Sequence, residues 1–159
     1  TFSEKDIPDF NTNFKIIPPI RSESDCNSLK EGLIDGTIDY LTSMHEPYDI
    51  DHKKVVFDDA SPGSIGLESM FGLMCNQFTL EKTIDILTRG KMIFEIDDHS
   101  VEVGSKANLT LFNPDKNYEF SAEHILSSSK NCAFLGNKLK GVVYGSVNGD
   151  KFTLNKLWT

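Results

Sequence analysis

The apolar pattern of this chain changes period once, near Lys91, and that change limits its fold more than any other feature. Before it, apolar residues recur at helical spacing: Cys26, Leu29 and Leu33, then Leu67, Met70, Phe71 and Met74, then Leu80, Ile84 and Leu87. After it, they fall in short alternating runs at residues 92–96, 101–103, 108–112, 118–120 and 142–147. A 3.6-residue period buries one stripe of a helix and a 2-residue period buries one face of a strand. The expectation is therefore α/β structure over residues 1–90 followed by an all-β segment over 91–159. Asn148-Gly149 predicts a two-residue hairpin turn from 142–147 into 152–154.

Local signals place the elements. Ser22 with Asp25 three residues on makes a capping pair, and Gly36 stops the helix predicted over 22–35. Two more helices are predicted over 64–76 and 79–89, the second stopped by Gly90. Residues 1–21 read as irregular, with at most one helical turn between 4 and 10. The run 37–43 reads as a buried strand, which breaks into Met44-His45-Glu46-Pro47, where Pro47 holds Glu46 extended. A strand ending in a proline-fixed polar loop presents side chains at the carboxyl end of a sheet. The long loop that follows, to Pro62, and the connection 122–139 are the other irregular segments.

Composition removes several function classes. With 159 residues there is enough chain for one core, but a closed (β/α)8 barrel needs roughly 250. The first residue is Thr1 rather than Met, which suggests a fragment or processed chain. Sixteen basic against 24 acidic residues give a formal charge of −8, a field that repels nucleic acid and anionic membrane surfaces. No run approaches the ~20 apolar residues of a membrane span. Three widely spaced cysteines, Cys26, Cys75 and Cys132, suit a reducing, cytoplasmic setting. Ser127-x-x-Lys130 lacks the partner motifs of a penicillin-binding site. Asn108-Leu109-Thr110 matches a glycosylation pattern inside a predicted strand and is discounted.

Five stretches carry a resemblance. They are D-G-T-I-D at 35–39, H-E-P-Y at 45–48, P-G-S-I-G-L-E-S at 62–69, N-F-K-I-I-P-P-I-R at 13–21 and S-S-S-K-N-C-A-F-L-G at 127–136. In their order along the chain they resemble the dihydroorotases, the cyclic-amide branch of the amidohydrolase superfamily, from about Thr12 to Lys151. The resemblance implies the C-terminal strands and helices of a (β/α)8 amidohydrolase barrel, followed by part of a small β-sandwich. It implies pyrimidine-biosynthesis chemistry, with zinc activating water and a carboxylate moving the proton.

This chain departs from the family at the residues that matter most. The metal-binding aspartate that serves as general base falls on Met44, and a thioether can neither abstract a proton nor bind zinc well. The family's substrate-binding positions fall on Ile17, Tyr48, Pro62 and Gly63, and the first two are altered, from asparagine and histidine. The family's H-x-H and lysine ligands have no counterpart; His45, His52, His99 and His124 are scattered. His45 and Glu46 remain as loop candidates, with His45 expected to hold the strand end by a hydrogen bond. The acidic loop of Asp49, Asp51, Asp58 and Asp59 reads as solvated, so no metal ligand and no cofactor is expected in this chain.

The expectation is thus a C-terminal dihydroorotase-like segment, not catalytic as it stands, acting as a scaffold or partner subunit. Its expected partners are the missing N-terminal portion of the same protein, a second chain, or a copy of itself. Two alternatives stay open: part of an active metal-dependent hydrolase whose metal site lies upstream, or an unrelated α+β binding domain.

Overall fold

Capping chemistry fixes the first helix, α1 (Glu23–Asp35): the Ser22 hydroxyl accepts the Asp25 amide at 3.2 Å, and Gly36 closes the helix at φ +88°. A computed structural model describes residues 2–96 and 101–157 of the chain. After α1 come a short turn of helix α2 (Ile50–Lys53), then α3 (Met70–Gln77), α4 (Leu80–Thr88) and a single turn α5 (Gly90–Ile93). Three antiparallel strands follow, β1 (Asn108–Glu119), β2 (Lys138–Asn148) and β3 (Lys151–Leu154), in the order β1-β2-β3. The Asn148-Gly149 turn joins β2 to β3, with Asn148 opposite Lys151 and Gly149 at φ +63°. No described helix is long and apolar enough to cross a membrane.

The core forms where α3 lies on β2. Ile65, Leu73, Met74, Phe120, Ile125, Cys132 and Leu139 make one buried cluster. Glycine permits the close approach at two points. A β-carbon on Gly72 would come within 3.0 Å of Leu139, and one on Gly141, itself at φ +97°, within 3.0 Å of Phe71. Phe71 meets Phe112 of β1 edge-on, with ring centroids 5.1 Å apart.

Several expectations need correction. The predicted strand 37–43 has no ladder partner among the described residues: it opens in a bend at 37–38, and the nearest pairing is an isolated parallel bridge between His45 and Ser64. A strand exists only with a neighbour to share its ladder, and the described residues supply none there. The predicted strand 92–96 is instead the α5 turn and its exit. Gly90 does not stop the helix: Arg89 stays helical, and the bare Gly90 lets Tyr40 approach, with Phe94 edge-on to Tyr40 at 5.2 Å. Residues 101–103 lie exposed in a bend and the start of a turn, with no partner strand among the described residues.

The predicted strands 108–112 and 118–120 are one strand, β1, broken by register shifts at Leu111/Phe112 and Asn113/Asn117. Pro114, which has no amide to donate, falls in the second irregularity. The predicted helix 64–76 starts only at Met70, because the segment before it is tied to other loops. Helix faces shift as well. On α4 the fully buried residues are Thr83 and Ile86; of the expected face Leu87 packs partly buried against the core while Ile84 is exposed, and on α1 Leu33 is buried while Leu29 is 52% exposed. His99 and Trp158 lie outside the described residues.

Buried acids make this core sensitive to alkali. Burial holds the Cys132 thiol up at about 11 against an ordinary 9.0, and the Tyr118 phenol up at about 12 against 10.0. The unfolded chain ionises first, so the stability these groups contribute is complete below pH 9 and is lost as pH rises through their folded values. Urea melts are expected to show about 2–3 kcal/mol lost to Cys132 between pH 9 and 11. Cys132→Ala should remove its share of that fall and leave the contributions of Cys75, also held up by burial, and of Tyr118.

Candidate functional site

The segment from Met44 to Glu68 is shaped by buried polar groups rather than by an apolar core. Asn131, on the connection between β1 and β2, is only 6% exposed. Its amide nitrogen donates to the Glu46 carbonyl at 2.9 Å and the Gly63 carbonyl at 3.3 Å, and its oxygen accepts the Tyr48 amide at 3.1 Å. Lys53, also 6% exposed, donates to the carbonyls of Ser61 and Gly63, each at 2.9 Å. Burial, with help from the nearby Lys15 charge and opposed by Glu46, holds the Lys53 ammonium below its ordinary range. Backbone bonds complete the frame: Gly63 donates to Lys15 at 2.8 Å, Ile65 to Asn131 at 2.9 Å and Glu46 to Ser64 at 3.1 Å.

On this frame the positions singled out in the sequence separate into two groups. Ile17, Met44 and Glu46 line one largely apolar groove of about 360 Å³, walled by Pro18, Leu29 and Phe134. Tyr48 lies beyond it, against the buried Gly63. A β-carbon there would come within 2.5 Å of the Tyr48 ring and 2.9 Å of the Glu46 carboxylate, so only glycine fits under this tyrosine. Pro62 precedes that glycine and is partly buried.

His45 turns toward the backbone. Its Nδ1 accepts the Leu67 amide at 3.2 Å and the Gly66 amide at 3.4 Å. Glu68 Oε2 also lies 3.7 Å from the same nitrogen, a spacing that suits an ion pair. The two amide bonds are the shorter contacts and hold the ring against the Gly66-Leu67 backbone. Glu68 Oε1 accepts the Ser127 amide at 2.8 Å, while its Oε2 is buried with no hydrogen-bond partner.

Met44 sits at φ +44°, in the left-handed region, with its side chain half exposed. That backbone is costly for methionine, whereas aspartate, asparagine and glycine adopt it readily. Among the described residues no three His, Cys, Asp or Glu side chains come together to hold a metal ion. Zinc does not fit what this chain contributes. Met44 offers a thioether, His45 Nδ1 is engaged by two amides, and one Glu68 oxygen is taken by Ser127.

Sequence reasoning missed Asn131 and Lys53 as organising groups. Asn131 lay inside a motif already singled out, but nothing marked its side chain as buried. Lys53 sits in an acidic loop and reads as solvated. Asp49, Asp51, Asp58 and Asp59 are exposed around it or partway along the loop.

No family model matches the chain. Among curated proteins it is 35% identical over 150 residues to a dihydroorotase of Caldicellulosiruptor saccharolyticus, covering 90% of this chain and 35% of that protein. Among solved structures it is similar to an L-hydantoinase (dihydropyrimidinase) from Arthrobacter aurescens, with TM-score 0.79 and 22% identity. That likeness covers 98% of this chain and 37% of the hydantoinase. It is also similar to the inactive dihydroorotase-like domain of the Chaetomium thermophilum CAD-like multifunctional protein, with TM-score 0.58 and 21% identity over 95% of this chain and 40% of that one. The structural likenesses show that the chain has the fold of part of these proteins. The chain spans about a third of the length of the relatives it matches.

Asn131→Ala removes three hydrogen bonds and leaves the Glu46 carbonyl and the Tyr48 amide short of partners, while Gly63 keeps its bond from Lys53. The expected loss is about 2–3 kcal/mol in urea melts. A loss below about 0.5 kcal/mol, the scale of an inert surface change, would show that the loop holds itself.

Proposed function

We propose, for a chain that is dihydroorotase-like over nine-tenths of its length, a non-catalytic role within a larger amidohydrolase-related protein. It forms the last strands and helices of the barrel and part of the adjoining β-sandwich, and works as a scaffold or partner subunit in a cytoplasmic assembly. The observation that carries the reading is Met44. It stands where the family keeps its general base, and its side chain lines an apolar groove with Ile17, which stands where the family keeps a substrate amide contact. Tyr48 replaces a third contact and lies packed on Gly63. Restoring one of three separate interactions does not restore transition-state binding. The Chaetomium domain, whose fold is similar, is itself described as inactive.

The same reading gives the chain partners. Among the described residues the run 37–43 has no ladder, and β1 and β3 each have one edge without a strand partner. Unpaired amides and carbonyls on such edges favour pairing with further strands, supplied by the rest of the same protein or by a second chain.

Met44→Asp in the natural protein tests the functional reading and reports on its own folding. Because aspartate tolerates the left-handed backbone, the variant is expected to gain about 0.5–1 kcal/mol of stability. It is expected to show no cyclisation of carbamoyl aspartate above the enzyme-free rate, with zinc supplied. Turnover from this single change, or from the unmodified protein, would overturn the reading in favour of an active hydrolase.

A further inference from the structure

The groove beside Met44 has two kinds of apolar wall. Its volume of about 360 Å³ lies at the lower end of small-molecule pockets. Phe134 is the fixed wall: it is partly buried against the core cluster and stacked on Phe2, with ring centroids 5.1 Å apart and planes 13° apart. Met44 is the adaptable wall, half exposed, with an unbranched thioether that conforms to what lies against it. Ile17 and Leu29 line the same groove and are each more than half exposed.

Charge is the second constraint. Two ionic side chains border the groove, Arg21 and Glu46. The Arg21 Nε lies 3.3 Å from the Asp25 carboxylate. The Glu46 carboxylate lies near the Lys53 ammonium and favours its charge. Both charges are therefore already opposed within the chain. The hydroxyls on the walls are neutral, and two are engaged: Thr42 Oγ1 accepts the Met44 amide at 3.4 Å, and Ser64 Oγ donates to the Ile65 carbonyl at 3.2 Å. An ionic ligand entering here gives up its water and meets no free counter-charge, whereas an apolar one is matched on every wall.

We propose that this groove binds a small, uncharged aromatic molecule of one or two rings. A flat ring stacks on Phe134 and takes a sulfur–aromatic contact from Met44, while covering Ile17 and Leu29. An aliphatic ligand of equal area makes neither of the first two contacts. The inference rests on the non-catalytic reading of positions 17 and 44. Where the family keeps a polar amide contact and a carboxylate, this chain presents two apolar side chains, and the class of ligand changes with them.

The test is calorimetric titration of the natural protein with indole, with tryptamine and indole-3-acetate as the same ring carrying either charge. Saturable one-to-one binding of indole is expected, with a dissociation constant of about 0.1–1 mM, and both charged forms should bind several-fold more weakly. Ile17→Asn and Leu29→Gln change exposed wall residues, and urea melts check that both variants fold. Each is expected to weaken indole several-fold. The proposal is overturned if folded protein gives no saturable heat with indole up to about 5 mM. It is equally overturned if either charged form binds as tightly as indole, or if both variants bind indole unchanged. A second copy seated on the groove would show as absent indole binding with a dimer in gel filtration that Ile17→Asn dissociates, and this too overturns it. Turnover is measured separately: cyclisation of carbamoyl aspartate by the natural protein would overturn the non-catalytic reading, whereas absent indole heat without turnover overturns the ligand alone.

Discussion

One buried amide joins the two halves of this molecule. Asn131 comes from the connection between two strands, yet its side chain is spent on the Glu46, Tyr48 and Gly63 backbone, more than sixty residues earlier in the chain. Lys53 works from the other side of the same loop, reaching the Ser61 and Gly63 carbonyls. Polar groups buried this deeply hold their geometry because each alternative leaves a donor or acceptor unsatisfied. The loop that presents Met44, His45 and Glu46 is therefore set by hydrogen bonds that cross from the β-rich part, while the apolar cluster around Leu73, Phe120 and Leu139 sits beneath it.

That division separates the groups that hold the loop from those that line the groove. The hydrogen-bonded frame uses main-chain atoms, Asn131 and Lys53, none of which is the base or the substrate contact. The side chains at positions 17, 44 and 48 project from the frame without supporting it, so they are free to vary. Position 44 is strained in its backbone: φ +44° suits aspartate or asparagine better than methionine. Tyr48 has settled onto Gly63, where any β-carbon would collide with its ring.

What was legible in the sequence was local chemistry. Ser22 and Gly36 bound α1, and Asn148-Gly149 marks the β2–β3 turn, because caps and tight turns are fixed by residues a few positions apart. The ordered motifs pointed to the dihydroorotases, and the relatives agree over nine-tenths of the chain. Illegible was whatever depends on distant neighbours. Residues 37–43 have a strand's composition and no strand to pair with; residues 92–96 alternate like a strand but close one helical turn against Tyr40. The buried state of Asn131 and Lys53 arises from contacts across the chain, and residue type alone argues against it.

The central claim is that the frame survives where metal and imide chemistry do not. A crystal structure of the natural protein grown with excess zinc and dihydroorotate tests this most directly. The expected result is the Asn131 and Lys53 bonds intact, no metal beside Met44 or His45, and no imide against Ile17 and Gly63. Ordered zinc at Met44 or His45, or dihydroorotate seated over Gly63 with Tyr48 displaced, would contradict it.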